Sequence, residues 1–154
     1  VFGDWSSDVC SSDLEDAYAA RLFPRIEKLI EQGNWVWLGV LNQEEMAAFY
    51  PNLDVITVPS LNSTESFGLV QIEAMMNNVP VVASDLPGVR QPVKMSGMGE
   101  IFPIGDSVGL AEQICKVLRD KSAYRVDHDW LMNFFSPETV AAEYERQFGE
   151  LLTK

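Results

Sequence analysis

Residues 55–77, VITVPSLNSTESFGLVQIEAMMN, pass from an apolar run through a polar stretch into a helical pattern. Val55-Ile56-Thr57-Val58 reads as a buried strand that Pro59 stops. Ser60 to Ser66 is polar, and beyond Gly68 the residues Leu69, Ile72, Ala74, Met75 and Met76 follow helical spacing until Pro80 bounds them. The unit is strand, loop, helix, with small and hydroxyl residues at the helix mouth. A helix leaves the N–H groups of its first turn unpaired, and its dipole favours negative charge there. Gly68 has no side chain to hold a phosphate away from those donors.

Two carboxylates sharpen this reading. Glu65 stands just before the helix and Glu73 about one and a half turns inside it, so they bracket a span on the order of 8–12 Å. A carboxylate offers only acceptors and suits the hydroxyls of a sugar or a ribose. An anion flanked by two polyols describes a nucleotide-sugar. The spacing alone also fits a plainer arrangement, one charge at a helix mouth and one on a solvated surface.

Glu65-Ser-Phe67-Gly68-Leu69, Glu73-Ala74-Met75, Pro80-Val-Val-Ala83 and Gly88-Val-Arg90 together resemble the donor-binding motif of family 4 retaining glycosyltransferases. The resemblance runs over roughly Trp35 to Leu118. Those enzymes have the two-domain GT-B plan, so it implies an α/β fold: a partial Rossmann-like, doubly wound parallel sheet, the C-terminal half of a GT-B enzyme. It implies transfer of a sugar from a nucleoside-diphosphate sugar to an acceptor with retention, without a cofactor or a metal. By the same resemblance Glu65 is the catalytic residue and holds sugar hydroxyls, and Glu73 takes the ribose diol. Phe67, Gly68 and Leu69 bind the donor with the helix mouth on its diphosphate, while Gly39, Val40 and Leu41 hold the base, largely through backbone. The leaving phosphate takes the acceptor's proton in such enzymes, so no protein base is called for. Asn78 stands where that family usually has Gly, and Asn tolerates the left-handed backbone such a site needs. Gln91 stands where an acidic residue is common.

Composition sets the bounds. At 154 residues with 47% hydrophobic and 10% aromatic content, the chain is globular and at most one domain. A formal net charge of −12 argues against nucleic acid as a partner and leaves any nucleotide anion to local donors. No apolar run reaches membrane-spanning length. Two cysteines, Cys10 and Cys115, make neither a disulfide framework nor a metal set, which points to a reducing compartment. The expected location is the cytoplasm, with peripheral contact at the inner membrane face left open for the parent protein.

Val1–Leu14 has no periodicity or turn logic and resembles the translation of a sequencing adapter. It reads as a non-native segment, with residues 15–154 as the partial nucleotide-sugar-binding domain. Setting aside Asp4, Asp8 and Asp13 leaves the acidic balance standing. From Asp16 to Gln32 the residues Ala19, Leu22, Phe23, Ile26, Leu29 and Ile30 predict a helix stopped by Gly33, with Arg21, Arg25 and Lys28 on a solvated face. Trp35–Leu41 is continuously apolar and predicts a strand buried on both faces, with Trp35 and Trp37 in the core. Asn42 and Glu45 have the spacing of a capping box that opens a short helix to Tyr50.

Pro80–Ala83 and Ile101–Ile104 complete four predicted strands, the third to sixth of the resembled domain. Ser107 is expected to cap a helix whose face carries Leu110, Ala111, Ile114, Cys115 and Leu118, which makes Cys115 a core residue. Ser136-Pro137 starts a last helix with Val140, Tyr144, Phe148 and Leu151 as its apolar stripe. His128 has no second ligand in view. The first two strands, the basic residues that follow the first of them, and the acceptor-binding N-terminal domain are not in this sequence. The chain as given is therefore expected to lack turnover, and the acceptor, a sugar or a lipid, to be met by that other domain. The alternative function is a non-catalytic nucleotide-binding or regulatory module on a flavodoxin-like sheet. A nucleotide-sugar isomerase would want a histidine in the site, and His128 stands far toward the C-terminus.

Overall fold

The computed structural model describes residues 13–36, 38–62 and 64–152, in two compact units, Val1–Ala47 and Ala48–Lys154. The segment 1–14 lies, but for Asp13 and Leu14, outside the described residues.

In the first unit helix α1 spans Asp13–Glu31. It ends as expected at Gly33, whose φ is 72°. The Gly33 N–H donates to the Ile30 carbonyl at 2.9 Å and the Asn34 N–H to that of Leu29 at 2.9 Å, which satisfies two end carbonyls together. Arg21, Arg25 and Lys28 are exposed. The expected strand at Trp35–Leu41 is not formed among the described residues, and Trp37 lies outside them. Val36 is 75% and Val40 65% exposed. A parallel strand exists only through ladder partners and covered faces, and this run finds no ladder. Continuous apolarity marks a segment that burial would suit, and pairing decides whether burial happens. Beyond it the capping box closes as read. The Asn42 N–H donates to Glu45 Oε2 at 2.8 Å and the Glu45 N–H to Asn42 Oδ1 at 3.0 Å, which starts helix α2, Gln43–Phe49.

The second unit holds the sheet. After a 3-10 turn at Tyr50–Asn52 come strand β1, Ile56–Val58, helix α3, Leu69–Met76, strand β2, Val81–Ser84, helix α4, Gln91–Ser96, and strand β3, Gly99–Phe102. Helix α5, Ser107–Arg119, a 3-10 turn at Lys121–Tyr124, helix α6, His128–Phe134, and helix α7, Pro137–Leu152, follow. The strands are parallel in the order β1-β2-β3, with Val58 beside Ala83 and Ser84 beside Phe102. This is an α/β fold built on a three-stranded parallel sheet, one strand fewer than expected.

Successive strand residues point to opposite faces. Val82 and Phe102 pack with Val117 of α5 on one face. By alternation Val81 and Ala83, both fully buried, face the other way, where right-handed crossovers put α3 and α4. Those helices touch through Ser96 Oγ and Met75 Sδ at 3.4 Å. Asn78 takes φ 60°, the only positive φ outside glycine among the described residues, the left-handed backbone expected there.

Two further expectations need correction. Asp106, not Ser107, caps α5: its Oδ1 accepts from the N–H groups of Val108 at 3.1 Å and Gly109 at 2.9 Å. Cys115 is exposed. The buried line of α5 runs through Gly109 and Val117, with Leu110 and Ile114 partly covered. The helix turns Val117 toward Val82 and Phe102, so its buried line lies to one side of the expected face. The stripe on α7 is present, but Tyr144 is 59% and Phe148 59% exposed. No helix among the described residues is long and apolar enough to cross a membrane.

On the α5 face, Glu100 Oε1 accepts from Lys116 Nζ at 2.6 Å and from the Tyr124 hydroxyl at 2.7 Å. Partial burial pushes this carboxyl up, but the hydrogen bonds from Lys116 and Tyr124 outweigh it and hold it below its ordinary value. A depressed carboxyl adds stability above the unfolded pKa and loses it as pH falls through the folded one. Unfolding in urea between pH 7 and pH 3 should show wild type losing stability relative to Glu100→Gln below about pH 4.5. At pH 7 the difference should be about 0.2–1 kcal/mol, as for a solvent-screened pair.

Candidate functional site

The carboxyl ends of parallel strands are where open α/β sheets bind ligands, and β1 here leads into the connection that carries Glu65, Phe67, Gly68, Leu69 and Glu73. Asn62 starts an Asx turn, its Oδ1 accepting from the Thr64 N–H at 3.0 Å and the Thr64 hydroxyl at 2.5 Å. Glu65 is exposed, Phe67 half-buried and Gly68 buried.

Gly68 is the N-cap residue of α3, with φ 77° and ψ 70°, and no side chain caps the helix. That left-handed backbone suits Gly, and it leaves the first-turn N–H groups of α3 without a side-chain acceptor. Leu69 opens the helix with its side chain 70% exposed. The local geometry is that of an anion seat, oriented donors at the positive end of a helix dipole.

Two contacts fix the loop that presents this seat. A Cβ on Gly88 would lie 1.6 Å from the Ser66 carbonyl oxygen, so the loop backbone rests directly on the turn after β2. Gln71, fully buried on α3, donates from Nε2 to the Phe67 carbonyl at 2.8 Å and to the Val89 carbonyl at 2.8 Å. It ties the loop to the same turn. Gln71 Oε1, and Ser84 Oγ at the carboxyl end of β2, are buried without a hydrogen-bond partner among the described residues. The turn is braced further by Arg90, which donates to Asp85 Oδ1 at 2.8 Å. Neither the latch nor the seat on Gly88 was read from sequence. The available signal was Gln71 itself, a polar residue on the same helical face as Ile72 and Met75.

Glu73 is exposed on α3, but not idle. The Tyr50 hydroxyl donates to its Oε2 at 2.6 Å across 23 residues of sequence. Burial first, then the hydrogen bond and charge of Glu73, push the Tyr50 phenol well above its ordinary value, so it remains a donor at neutral pH. Glu65 thus stands on the loop and Glu73 within the helix of one strand-loop-helix connection. Gly39, Val40 and Leu41 lie in the first unit. Gly39 has φ 70°, and Val40 is exposed. Among the described residues no group of three or more His, Cys, Asp and Glu side chains could hold a metal ion.

A family model described as "Glycosyl transferases group 1" matches residues 9–129. The chain is similar to a phosphatidyl-myo-inositol mannosyltransferase of Mycobacterium leprae, 38% identical over 84 residues, which are 54% of this chain and 22% of that protein. It is also similar to a D-inositol 3-phosphate glycosyltransferase of Corynebacterium efficiens, 38% identical over 113 residues, 71% of this chain and 26% of that one. Among solved structures it superposes on a sucrose-phosphate synthase of Thermosynechococcus elongatus with a TM-score of 0.68 and 27% identity, over 89% of this chain and 35% of that one. The chain thus spans about a quarter of the length of the curated relatives it matches.

The contact at Gly88 gives a direct test. Gly88→Ala places a methyl group on the Ser66 carbonyl, so either the loop or the turn must move. The expected loss of stability is about 1–3 kcal/mol in urea unfolding, with faster amide exchange at residues 65–68. Unchanged exchange there would show that the loop does not depend on this seat.

Proposed function

The chain belongs to the glycosyl transferases group 1 family, and from that premise we propose that it is the donor-binding part of an enzyme that transfers a sugar, with retention, from a nucleoside-diphosphate sugar to an acceptor. The observation that carries this reading is the uncapped mouth of α3 at Gly68, flanked by Glu65 on the loop and Glu73 on the helix. The diphosphate would lie against the N–H groups at Gly68 and Leu69, where negative charge grows as the sugar leaves. Phe67 supplies part of the loop backbone beside it. Glu65 would accept hydrogen bonds from the sugar hydroxyls as the catalytic residue, and Glu73 from the ribose diol. For the base the reading rests on sequence resemblance alone, at Gly39, Val40 and Leu41.

The names of the relatives support a sugar as the transferred group and a hydroxyl-bearing molecule, sugar or lipid, as acceptor. The acceptor would be bound by the other domain of the parent enzyme. Membership of family 4 and independence from a cofactor belong to the same proposal. It sets the transfer in the cytoplasm, the reducing compartment to which the cysteine usage points.

Calorimetric titration of this chain with UDP, GDP and their sugars tests the reading. Saturable binding to one nucleotide series is expected, weakened by about 1–3 kcal/mol in Glu73→Ala through loss of charged hydrogen bonds. That is roughly 5- to 150-fold in Kd. Equal affinity of wild type and variant would remove the ribose assignment.

A further inference from the structure

Glu73 alone is a poor fixed ligand group. A glutamate side chain has several rotatable bonds, and an exposed one on a helix must be immobilised by whatever binds it, at an entropic cost to affinity. The structure supplies the immobilisation in advance. Tyr50 is only 3% exposed and sits in a 3-10 turn with Pro51 behind it. The Leu53 N–H donates back to the Tyr50 carbonyl at 3.0 Å, so backbone and ring are both held. A tyrosine has two side-chain torsions, and packing the ring fixes where its hydroxyl stands. That hydroxyl meets Glu73 Oε2 at 2.6 Å.

We infer that Tyr50 is a positioning residue for Glu73, holding Oε2 so that Oε1 is presented to the ribose diol of the donor nucleotide. The inference rests on the ribose assignment proposed above. Among the described residues Oε1 has no hydrogen-bond partner, so it keeps its full acceptor capacity. The choice of a phenol is chemically specific. A lysine or arginine at this place would neutralise the carboxylate and compete for both oxygens. A neutral O–H takes one oxygen and leaves the negative charge that strengthens a hydrogen bond from a hydroxyl.

A double-mutant cycle on the 154-residue chain, read by calorimetry with UDP and GDP, tests this. Tyr50→Phe keeps the ring and removes only the hydroxyl, and thermal melting of each variant reads the structural effect separately. The expected result is a 3- to 10-fold rise in Kd for Tyr50→Phe in the wild-type background. In the Glu73→Ala background the same substitution should change Kd by less than twofold, because nothing remains to be positioned. A Tyr50→Phe protein that binds as tightly as wild type, or loses the same factor in both backgrounds, overturns the inference and leaves the ribose assignment standing. A wild type that does not bind, or a Glu73→Ala protein that binds equally well, overturns the ribose assignment and this inference with it.

Discussion

Strand β2 has ladder partners on both edges, and all four of its residues are buried. That double pairing is the constraint from which the second unit is built. Val82 can be dry only because α5 brings Val117 and β3 brings Phe102 to the same spot. Val81 and Ala83 then need cover on the reverse face, where α3 and α4 meet through Met75 and Ser96. With both faces of β2 covered, the ends of that strand are where it leads out to solvent. The loop before α3 and the turn after β2 come to lie together there, with Gly88 absent a side chain so that Ser66 can rest on it. The geometry of the candidate site is thus a consequence of packing two layers on one central strand.

What could be read along the chain and what could not divides by range. Signals that act over a few residues were legible: the Asn42–Glu45 capping box, the Gly33 stop, the Ser136 start, where Oγ accepts from the Thr139 N–H at 3.1 Å, and the left-handed Asn78. Each depends on the backbone and one nearby side chain. Apart from the α5 cap, read one residue late at Ser107 instead of Asp106, the misreadings required knowledge of a neighbour far away in sequence. Trp35–Leu41 has the composition of a strand but has no ladder partner among the described residues. Cys115 was placed in the core by helical spacing alone, whereas the sheet selects the Val117 side of α5. One residue of rotation error turns a helix by about 100°, enough to exchange its inside and outside.

The candidate site shows the same division. Its residue types at Glu65, Gly68 and Glu73 were legible because their chemistry is carried by identity and short spacing. Their supports were not. Gln71 reaches Val89 across 18 residues and Tyr50 reaches Glu73 across 23, and neither partner is marked by any local pattern. A polar residue on an apolar helix face is the only trace such supports leave, and its partner stays unknown until the fold brings it near.

The charge balance bears on what such a site could select. With a net charge of −12 and Arg90 committed to Asp85, the general field of the chain does not favour an anion. A carboxylate about 8 Å from a phosphate would repel it by about 0.5–2 kcal/mol at effective dielectric constants between 80 and 20. Under the reading proposed, that repulsion is useful. Inorganic phosphate would meet the helix dipole and the repulsion together, and the two effects are of similar size. A nucleotide-sugar would meet both as well, but its hydroxyls on either side of the diphosphate turn the same carboxylates into hydrogen-bond acceptors. The glutamates would then act twice, against anions that lack polyols and for those that carry them. Specificity built in this way needs the carboxylates to stay charged and to stay in place. The loop latched by Gln71 and the helix position braced by Tyr50 provide the second condition.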